Sequence, residues 1–476
     1  MTTPTVARRW LAPAWLLSLA MAGAGCATRP AATTPSTPST PTPAAAPAAG
    51  TAPALSAEQT ALAKQAGELG ATDVDARPGP DGGLLLGGKL EGQQFALAIP
   101  AHWNREALLY AHGYSTPGTS IAVLADPTAK GTGATGILRA AYDDGLAAGH
   151  SAYAKSGMGV ETATVNTLRL RDFLVRLGAG KVFISGSSMG GNIVLSLLEQ
   201  HPQAFAGGFA MCGVTEGWEP LFAQLFDMRA AWNQLTRDTP TYALPGEHDV
   251  LRNALPTEPP AGAATDPEKF RWAQIARIAT PVLALFKAAH DNPQGPEARI
   301  ARQISAISGF EAEPASIAYP LVTIALAPDD LHLTMHGQLY GNRGKTYRVP
   351  EMSAADLAVF NREVQRFDAD PAAIAYARRW HRPTGDFRVP LVTLHNRIDS
   401  LVPYTQSEGL GRIVQQAGNQ ARLVQYTVPG VKAPLPVGGV EGYTHCGFTP
   451  EQAIAAWKAL RDWAQTGTRP AADLVQ

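Results

Sequence analysis

Lys181-Val182-Phe183-Ile184-Ser185 runs straight into Gly186-Ser187-Ser188-Met189-Gly190-Gly191, and Asn192 to Gln200 then reads as a helix ending at His201-Pro202. A short apolar run bounded by small residues is a buried strand. Gly186, Ser188 and Gly190 match G-x-S-x-G, a strand-to-helix turn whose small residues permit a strained backbone and thrust the central hydroxyl out above the sheet. The helix behind it aims its first N–H groups and positive dipole end at the same spot. A Gly/Ser-rich chain also produces such letters in a simple turn. The order strand, motif, helix makes Ser188 the candidate nucleophile, with Ser187 one position off.

Outward from this turn, strands and helices alternate. Gln94 to Pro100, Glu106 to His112, a short stretch near Ser151 to Tyr153, Gly207 to Cys212, Pro390 to His395 and Ala421 to Val428 read as strands. Helices are expected at Gly136 to Ala147, Glu161 to Leu177, about 405–417 and 450–465. This order predicts an α/β fold, a mostly parallel sheet flanked by helices on both faces. Between about 215 and 388 the rhythm fails. Prolines 256, 259 and 260 break it, with helices near 219–236, 266–278 and 354–366. The domain reading is therefore core residues 55–214, a large, mainly helical cap insertion at 215–388, and core residues 389–476.

A serine hydroxyl needs a base, itself oriented by an acid. His445, in Gly442-Tyr443-Thr444-His445-Cys446-Gly447-Phe448, follows the last strand and precedes the last helix. Asp399 follows the strand Pro390 to His395, giving the chain order Ser188, Asp399, His445. Asp249 and Asp291 are rival acids inside the insertion, and any of the three can equally be a turn or helix cap. His112-Gly113-Tyr114 closes an early strand. The expected oxyanion donors are the backbone N–H groups of Met189 and Tyr114, with His112 a structural imidazole.

With these pieces in place the chain resembles the α/β-hydrolase superfamily. Ile99-Pro100-Ala101-His102-Trp103-Asn104, Tyr110 to Tyr114, Gly186 to Gly191 and His445 to Thr449 are similar to secreted bacterial serine esterase-like hydrolases with a large cap. The resemblance runs from about residue 84 to 465 and is thin through the cap. It implies carboxylic-ester hydrolysis, with amidases and exopeptidases also in the superfamily. The His445-Cys446 pair is distantly similar to tannases and feruloyl esterases, where a cysteine after the base joins one before the nucleophile. Ser187 stands at that preceding position here.

The 476 residues include 39 basic and 40 acidic side chains, a formal charge of -1, so no global field attracts nucleic acid. Composition excludes collagen, knottins, coiled coils and polytopic membrane proteins. Arg8-Arg9, the apolar stretch Trp10 to Ala22 and the small residues before Cys26 read as an export signal over residues 1–26. Gly23-Ala24-Gly25-Cys26 resembles a lipobox with Gly23 in place of leucine, making Cys26 the lipidation site. Ordinary cleavage before Gly25 is the alternative and gives a secreted protein. Residues 27–54, mostly Ala, Pro, Thr and Ser, read as a disordered tether. With Cys26 lipidated, Cys212 and Cys446 remain of the 3 cysteines, either disulfide-bonded across the site or as two buried thiols.

Other motifs are weaker. His332 and His336 have helical spacing for a metal but lack an adjacent glutamate, and read as core or surface residues. Gly131 to Gly136 fits G-x-G-x-x-G by letter and reads as a loop rimming the site. Trp218, Phe222, Phe226 and Trp232 recur at helical spacing, as core or as pocket lining. The sequence calls for no cofactor and no metal. Its expected partners are a small-molecule ester or amide, no nucleic acid, and a membrane only through Cys26 at the cell envelope, whereas oligomeric state leaves no mark in the sequence. Three functions fit: a serine esterase working through an acyl-enzyme, an amidase or exopeptidase with the same triad, and a catalytically silent ligand-binding surface lipoprotein.

Overall fold

The computed structural model describes residues 54–119, 123–129 and 134–475. The export signal, Cys26 and nearly all of the tether lie outside the described residues, as does most of the glycine-rich loop before Gly136.

Helix α1 (Ala57–Glu68) leads into β1 (Thr72–Pro78), β2 (Leu84–Leu90) and β3 (Gln93–Ile99). Strands and helices then alternate as β4 (Glu106–Ala111), α2 (Ile137–Asp143), β5 (Ala147–Ser151), α3 (Val160–Leu177), β6 (Lys181–Ser187), α4 (Met189–Gln200) and β7 (Gly208–Met211). The insertion contributes α5 (Trp218–Thr236), α6 (Pro267–Asp291), α7 (Pro296–Ser308), α8 (Pro314–Leu326), α9 (Pro328–Met335), α10 (Ala354–Glu363) and α11 (Pro371–His381). The core resumes with β8 (Leu391–Asn396), α12 (Thr405–Gln416), β9 (Leu423–Val428), the hairpin β10 (Lys432–Pro434) and β11 (Glu441–Tyr443), and α13 (Pro450–Thr466).

Nine strands form one sheet in the order β1-β2-β3-β5-β4-β6-β7-β8-β9. The first strands pair antiparallel up to β3 with β5, and every pair from β5 through β4 to β9 is parallel. Alternation along the strands feeds two cores. Ala107, Leu109, Val182 and Ile184 pack with Leu174, Ile193 and Leu410, whereas Leu108, Phe183, Val392 and Leu394 pack with Leu138, Trp457 and Leu460. Helices α3, α4 and α12 therefore cover one face and α2 and α13 the other. The sheet is buried on both sides, as parallel strands require. The chain leaves β4 toward β5 and then returns to the opposite side of β4 to lay down β6. This reversal puts the topological switch point at the carboxyl ends of β4 and β6, the usual place for a site in an open α/β sheet.

Several expected elements shift. The strand expected near Ser151 to Tyr153 is β5, Ala147–Ser151. The helix expected to end at 278 continues as α6 to Asp291, with Pro281 buried inside it. The segment between β7 and β8 is a mainly helical layer, as expected, with more helices than the three anticipated. Trp218, Phe222, Phe226 and Trp232 are all buried in its core.

One cation organises that layer. Arg229, fully buried on α5, donates to the carbonyls of Glu247, Asp249, Val250, Arg252 and Ile324 at 2.7–3.3 Å. Burial pushes its pKa down to about 10, while Asp249, Glu247 and Asp329 pull in the other direction. A guanidinium holding a loop and the end of α8 through backbone carbonyls is not replaceable by an apolar chain, because those carbonyls then lose their donor. Arg229→Met is expected to lower unfolding stability by at least about 3 kcal/mol. Denaturant unfolding followed by tryptophan fluorescence measures it, and a loss below about 1 kcal/mol contradicts this role.

Candidate active site

Ser188 joins β6 to α4 with φ 60° and ψ −123°, a left-sided conformation that side chains other than glycine rarely adopt. Its N–H donates to Met211 O at 3.0 Å, and its carbonyl accepts from Gly191 N–H at 3.0 Å and Val214 N–H at 3.2 Å. The strain is thus held from β7 as well as from α4. The flanking glycines are sterically compelled. A Cβ on Gly186 would lie 2.4 Å from Gly190 O, and one on Gly190 would lie 2.0 Å from Ala111 O. Ser187 points elsewhere: its hydroxyl accepts from the buried Tyr110 hydroxyl at 3.1 Å.

The end of β4 comes against this turn. A Cβ on Gly113 would sit 3.1 Å from Ser188 Cβ and 3.6 Å from its Oγ, so a side chain here would crowd the serine where glycine does not. His112 Nδ1 donates to Gly113 O at 3.0 Å, and its ring stacks on Tyr153 with centroids 3.7 Å apart. Burial drives the His112 pKa down to about 4, so the ring is neutral and its Nε2 is an acceptor with no partner among the described residues. Tyr114 is half-buried, and burial together with the Asp330 carboxylate raises its phenol pKa. The Met189 amide is in the first turn of α4, where N–H groups have no intrahelical acceptor.

Asp399 is buried on the loop after β8. Its Oδ1 accepts from Leu401 N–H at 2.9 Å, Val402 N–H at 2.8 Å and His445 Nδ1 at 2.7 Å; its Oδ2 accepts from Cys446 N–H at 2.9 Å. A carboxylate only accepts, so Nδ1 carries the proton and His445 Nε2 bears the lone pair. Burial works to raise the Asp399 pKa, but His445, His395 and the Cys446 N–H outweigh it and the net shift is downward. His395, buried beneath, donates from Nε2 to Val402 O at 2.9 Å, and burial lowers its pKa.

Cys212 and Cys446 are joined by a disulfide with Cα atoms 5.3 Å apart. Cys212 follows Met211, which pairs in register with Ser187. The bond therefore clamps the residue after His445 to the strand end beside Ser188. A capping box of Thr449 and Gln452 then starts α13 and ends this loop.

The rival acids are placed otherwise. Asp249 caps its own turn through Leu251 N–H and Gln365, and Asp291 is exposed at the end of α6, paired with Lys287. His332 bonds Gln338 at 2.8 Å, and His336 packs edge-on against Tyr376. A cavity of about 720 Å³ between α5, α11 and α12 is lined by Glu216, Trp218, Arg378 and Arg412 but by none of Ser188, Asp399 and His445.

Two features escape sequence reading. The Asp399 donors are backbone amides, although an aspartate two and three residues before free N–H groups is a recognisable turn pattern. The cap anchor is the second: Asp330 on α9 accepts from Lys155 Nζ and Met158 N–H, both at 2.8 Å, and Gly157 N–H donates to Ser115 O at 2.9 Å. No local signal links residues this far apart.

A parallel sheet with helices on both faces, a strained serine turn after β6 and a helical insertion between β7 and β8 constitute the α/β-hydrolase fold. No family model matches the sequence, and no curated protein matches it. Among solved structures, feruloyl esterase B from Aspergillus oryzae is 14% identical, with 82% of this chain and 81% of that chain covered and a TM-score of 0.40. A rice cell wall degrading esterase from Xanthomonas oryzae is 13% identical, covering 85% and 95% with a TM-score of 0.37. A thermophilic esterase from Thermogutta terrifontis is 14% identical, covering 83% and 98% with a TM-score of 0.33. These superpositions are loose, and the assignment of fold rests on the strand order and turn of this chain.

Two expectations follow. Gly190→Ala places a methyl group inside backbone contact distance of Ala111 O and is expected to cost more than about 3 kcal/mol of stability or prevent soluble expression. A variant as stable as wild type in thermal unfolding contradicts the geometry. Asp399 has a folded pKa below the unfolded value of about 3.9. It therefore contributes stability that is fully present above that pH and is lost as pH falls through the folded value. Asp399→Asn is expected to remove this acid-side slope in denaturant unfolding between about pH 2 and 6. An unchanged slope counts against the ionised Asp399.

Proposed function

We propose that the chain is a serine-dependent carboxylic-ester hydrolase. Ser188 attacks an ester carbonyl, His445 Nε2 takes its proton, and Asp399 holds the imidazole and stabilises its cationic form. The Met189 and Tyr114 amides hold the developing oxyanion, each such donor contributing about 2.7–4 kcal/mol. His445 then protonates the leaving alkoxide, and water attacks the acyl-enzyme with His445 again as base. The observation that carries this reading is the Asp399–His445 hydrogen bond of 2.7 Å on the loop bolted to the end of β7, beside the strained Ser188 turn. It presets a tautomer with a basic Nε2.

An amide substrate uses the same groups but needs the proton delivered to a leaving nitrogen. The ester reading is chosen because the barrier is lower with an alkoxide leaving group than with an amide nitrogen. Export and a lipid anchor at Cys26 belong to the same proposal and rest on residues 8–26 of the sequence. Among the described residues no helix is long and apolar enough to cross a membrane.

A fluorophosphonate probe is expected to label wild type and not Ser188→Ala. On short-chain nitrophenyl esters Ser188→Ala is expected to lose about 10⁶ in kcat and Asp399→Asn about 10⁴. Matched nitroanilides are expected to turn over far more slowly than the esters. Absence of labelling in folded wild type ends the hydrolase reading, and faster anilide than ester turnover replaces it with the amidase.

A further inference from the structure

The Cys212–Cys446 bond lies directly against the imidazole. Cys446 Sγ is 3.4 Å from His445 Nε2 and 3.7 Å from Nδ1, and one ligand atom from each of Cys212, Cys446 and His445 falls within 4.8 Å of the others. In the oxidised chain these sulfurs are bonded to each other and carry no lone negative charge for a cation. Reduction turns them into two thiols, each able to lose a proton and bind a soft cation.

Three observations suit the reduced site to zinc. Zn–S of about 2.3 Å and Zn–N of about 2.0–2.1 Å at tetrahedral angles require S···N near 3.5 Å and S···S near 3.8 Å. The 3.4 Å from Cys446 Sγ to His445 Nε2 already meets the first. The Cα separation of 5.3 Å between the cysteines leaves room for the second after the bond opens. Finally, Asp399 accepts from His445 Nδ1 at 2.7 Å, so Nε2 is the free ligand nitrogen and a carboxylate already orients the ring. Carboxylate–histidine–metal arrangements have this form. Cys446 is part-exposed, giving a reductant access to a bond whose other half, Cys212, is buried.

We propose that reduction of the Cys212–Cys446 bond creates a Cys212–Cys446–His445 site for a thiophilic divalent cation, zinc above all, and that its occupation removes His445 Nε2 from Ser188. The inhibitory half rests on His445 being the base; the metal site does not. A dithiol delivers two electrons to the disulfide, becoming a cyclic disulfide and leaving two protein thiols. Zinc binding then releases both thiol protons, and water completes the coordination. Oxidation reverses the sequence by returning two electrons to an acceptor disulfide and expelling the cation.

The test uses the full chain in three states: oxidised, reduced with a water-soluble phosphine, and reduced with a chelator present. The phosphine takes its oxide oxygen from water, lacks the chelating thiols of a dithiol reductant, and is removed by desalting before zinc is added. After incubation with zinc chloride and desalting, the reduced chain is expected to retain about one zinc and the oxidised chain less than about a tenth of that. Cobalt(II) in place of zinc is expected to give a sulfur-to-metal charge-transfer band in the near ultraviolet, absent from the oxidised chain. Reduced Cys212→Ser loses the retained metal; His445→Gln, which keeps both thiols and the disulfide, holds it at least tenfold more weakly. Fluorophosphonate labelling of the reduced chain is expected to fall at least tenfold with zinc and to return with chelator.

Equal zinc retention by oxidised and reduced chains overturns the site. Labelling that stays lost when chelator removes the zinc overturns the inhibitory half. Failure of the oxidised, metal-free chain to label instead strikes the hydrolase reading, while zinc content and the cobalt band still decide the site.

Discussion

The backbone of Ser188 is the constraint around which the core is arranged. A non-glycine residue at φ 60° and ψ −123° costs of order 1–3 kcal/mol and persists only where the surroundings over-determine it. Here they do so from three sides. The last residue of β7 takes the Ser188 N–H, α4 and the segment after Cys212 share its carbonyl, and the end of β4 presses on it through glycine. Moving any of these strands by a fraction of an ångström relieves the strain and withdraws the hydroxyl. This is why the central strands are fully buried and the glycines at 186 and 190 have no room for a side chain.

The electrostatics of the site follow from burial. Isolated in a low-dielectric interior, Asp399 would favour its neutral form; two turn amides, the Cys446 amide and His445 reverse that preference. The same burial lowers the pKa of the two other imidazoles nearby, His112 and His395, and each donates to a backbone carbonyl. One imidazole of the three faces a carboxylate. That difference in partners, not in exposure, distinguishes His445 from its neighbours.

Much of this architecture is legible in the sequence wherever a strand is buried on both faces, because such strands read as uninterrupted apolar runs: Lys181 to Ser185 and Pro390 to His395 are examples. The serine turn is legible because sterics restrict its residues to a few types. The cap is legible only in part, at α5, the first half of α6 and α10. A proline inside a helix ordinarily breaks it, yet the rings of Pro281 in α6 and Pro320 in α8 are buried in helices whose packing outweighs the missing hydrogen bonds. β1 carries Asp73, Asp75 and Arg77 on an exposed edge strand, so its apolar signal is reduced to Val74 and Ala76. Arg229 and Asp330 bind partners between 18 and 175 residues away, and no spacing rule reaches that far.

The disulfide closes a ring of chain with a sequence separation of 234 that contains the whole cap and Asp399. Ser188 lies outside this ring and His445 just inside its closing link. The cap therefore lies inside a longer stretch of chain, from Cys212 to Cys446, that is covalently closed. A peptide bond cut anywhere in the cap leaves the serine half and the histidine half as one molecule, with β7 and β8 still paired in the sheet. Exposed loop tips are the preferred sites of proteolytic nicking. In this chain such a cut divides the polypeptide without parting its catalytic candidates.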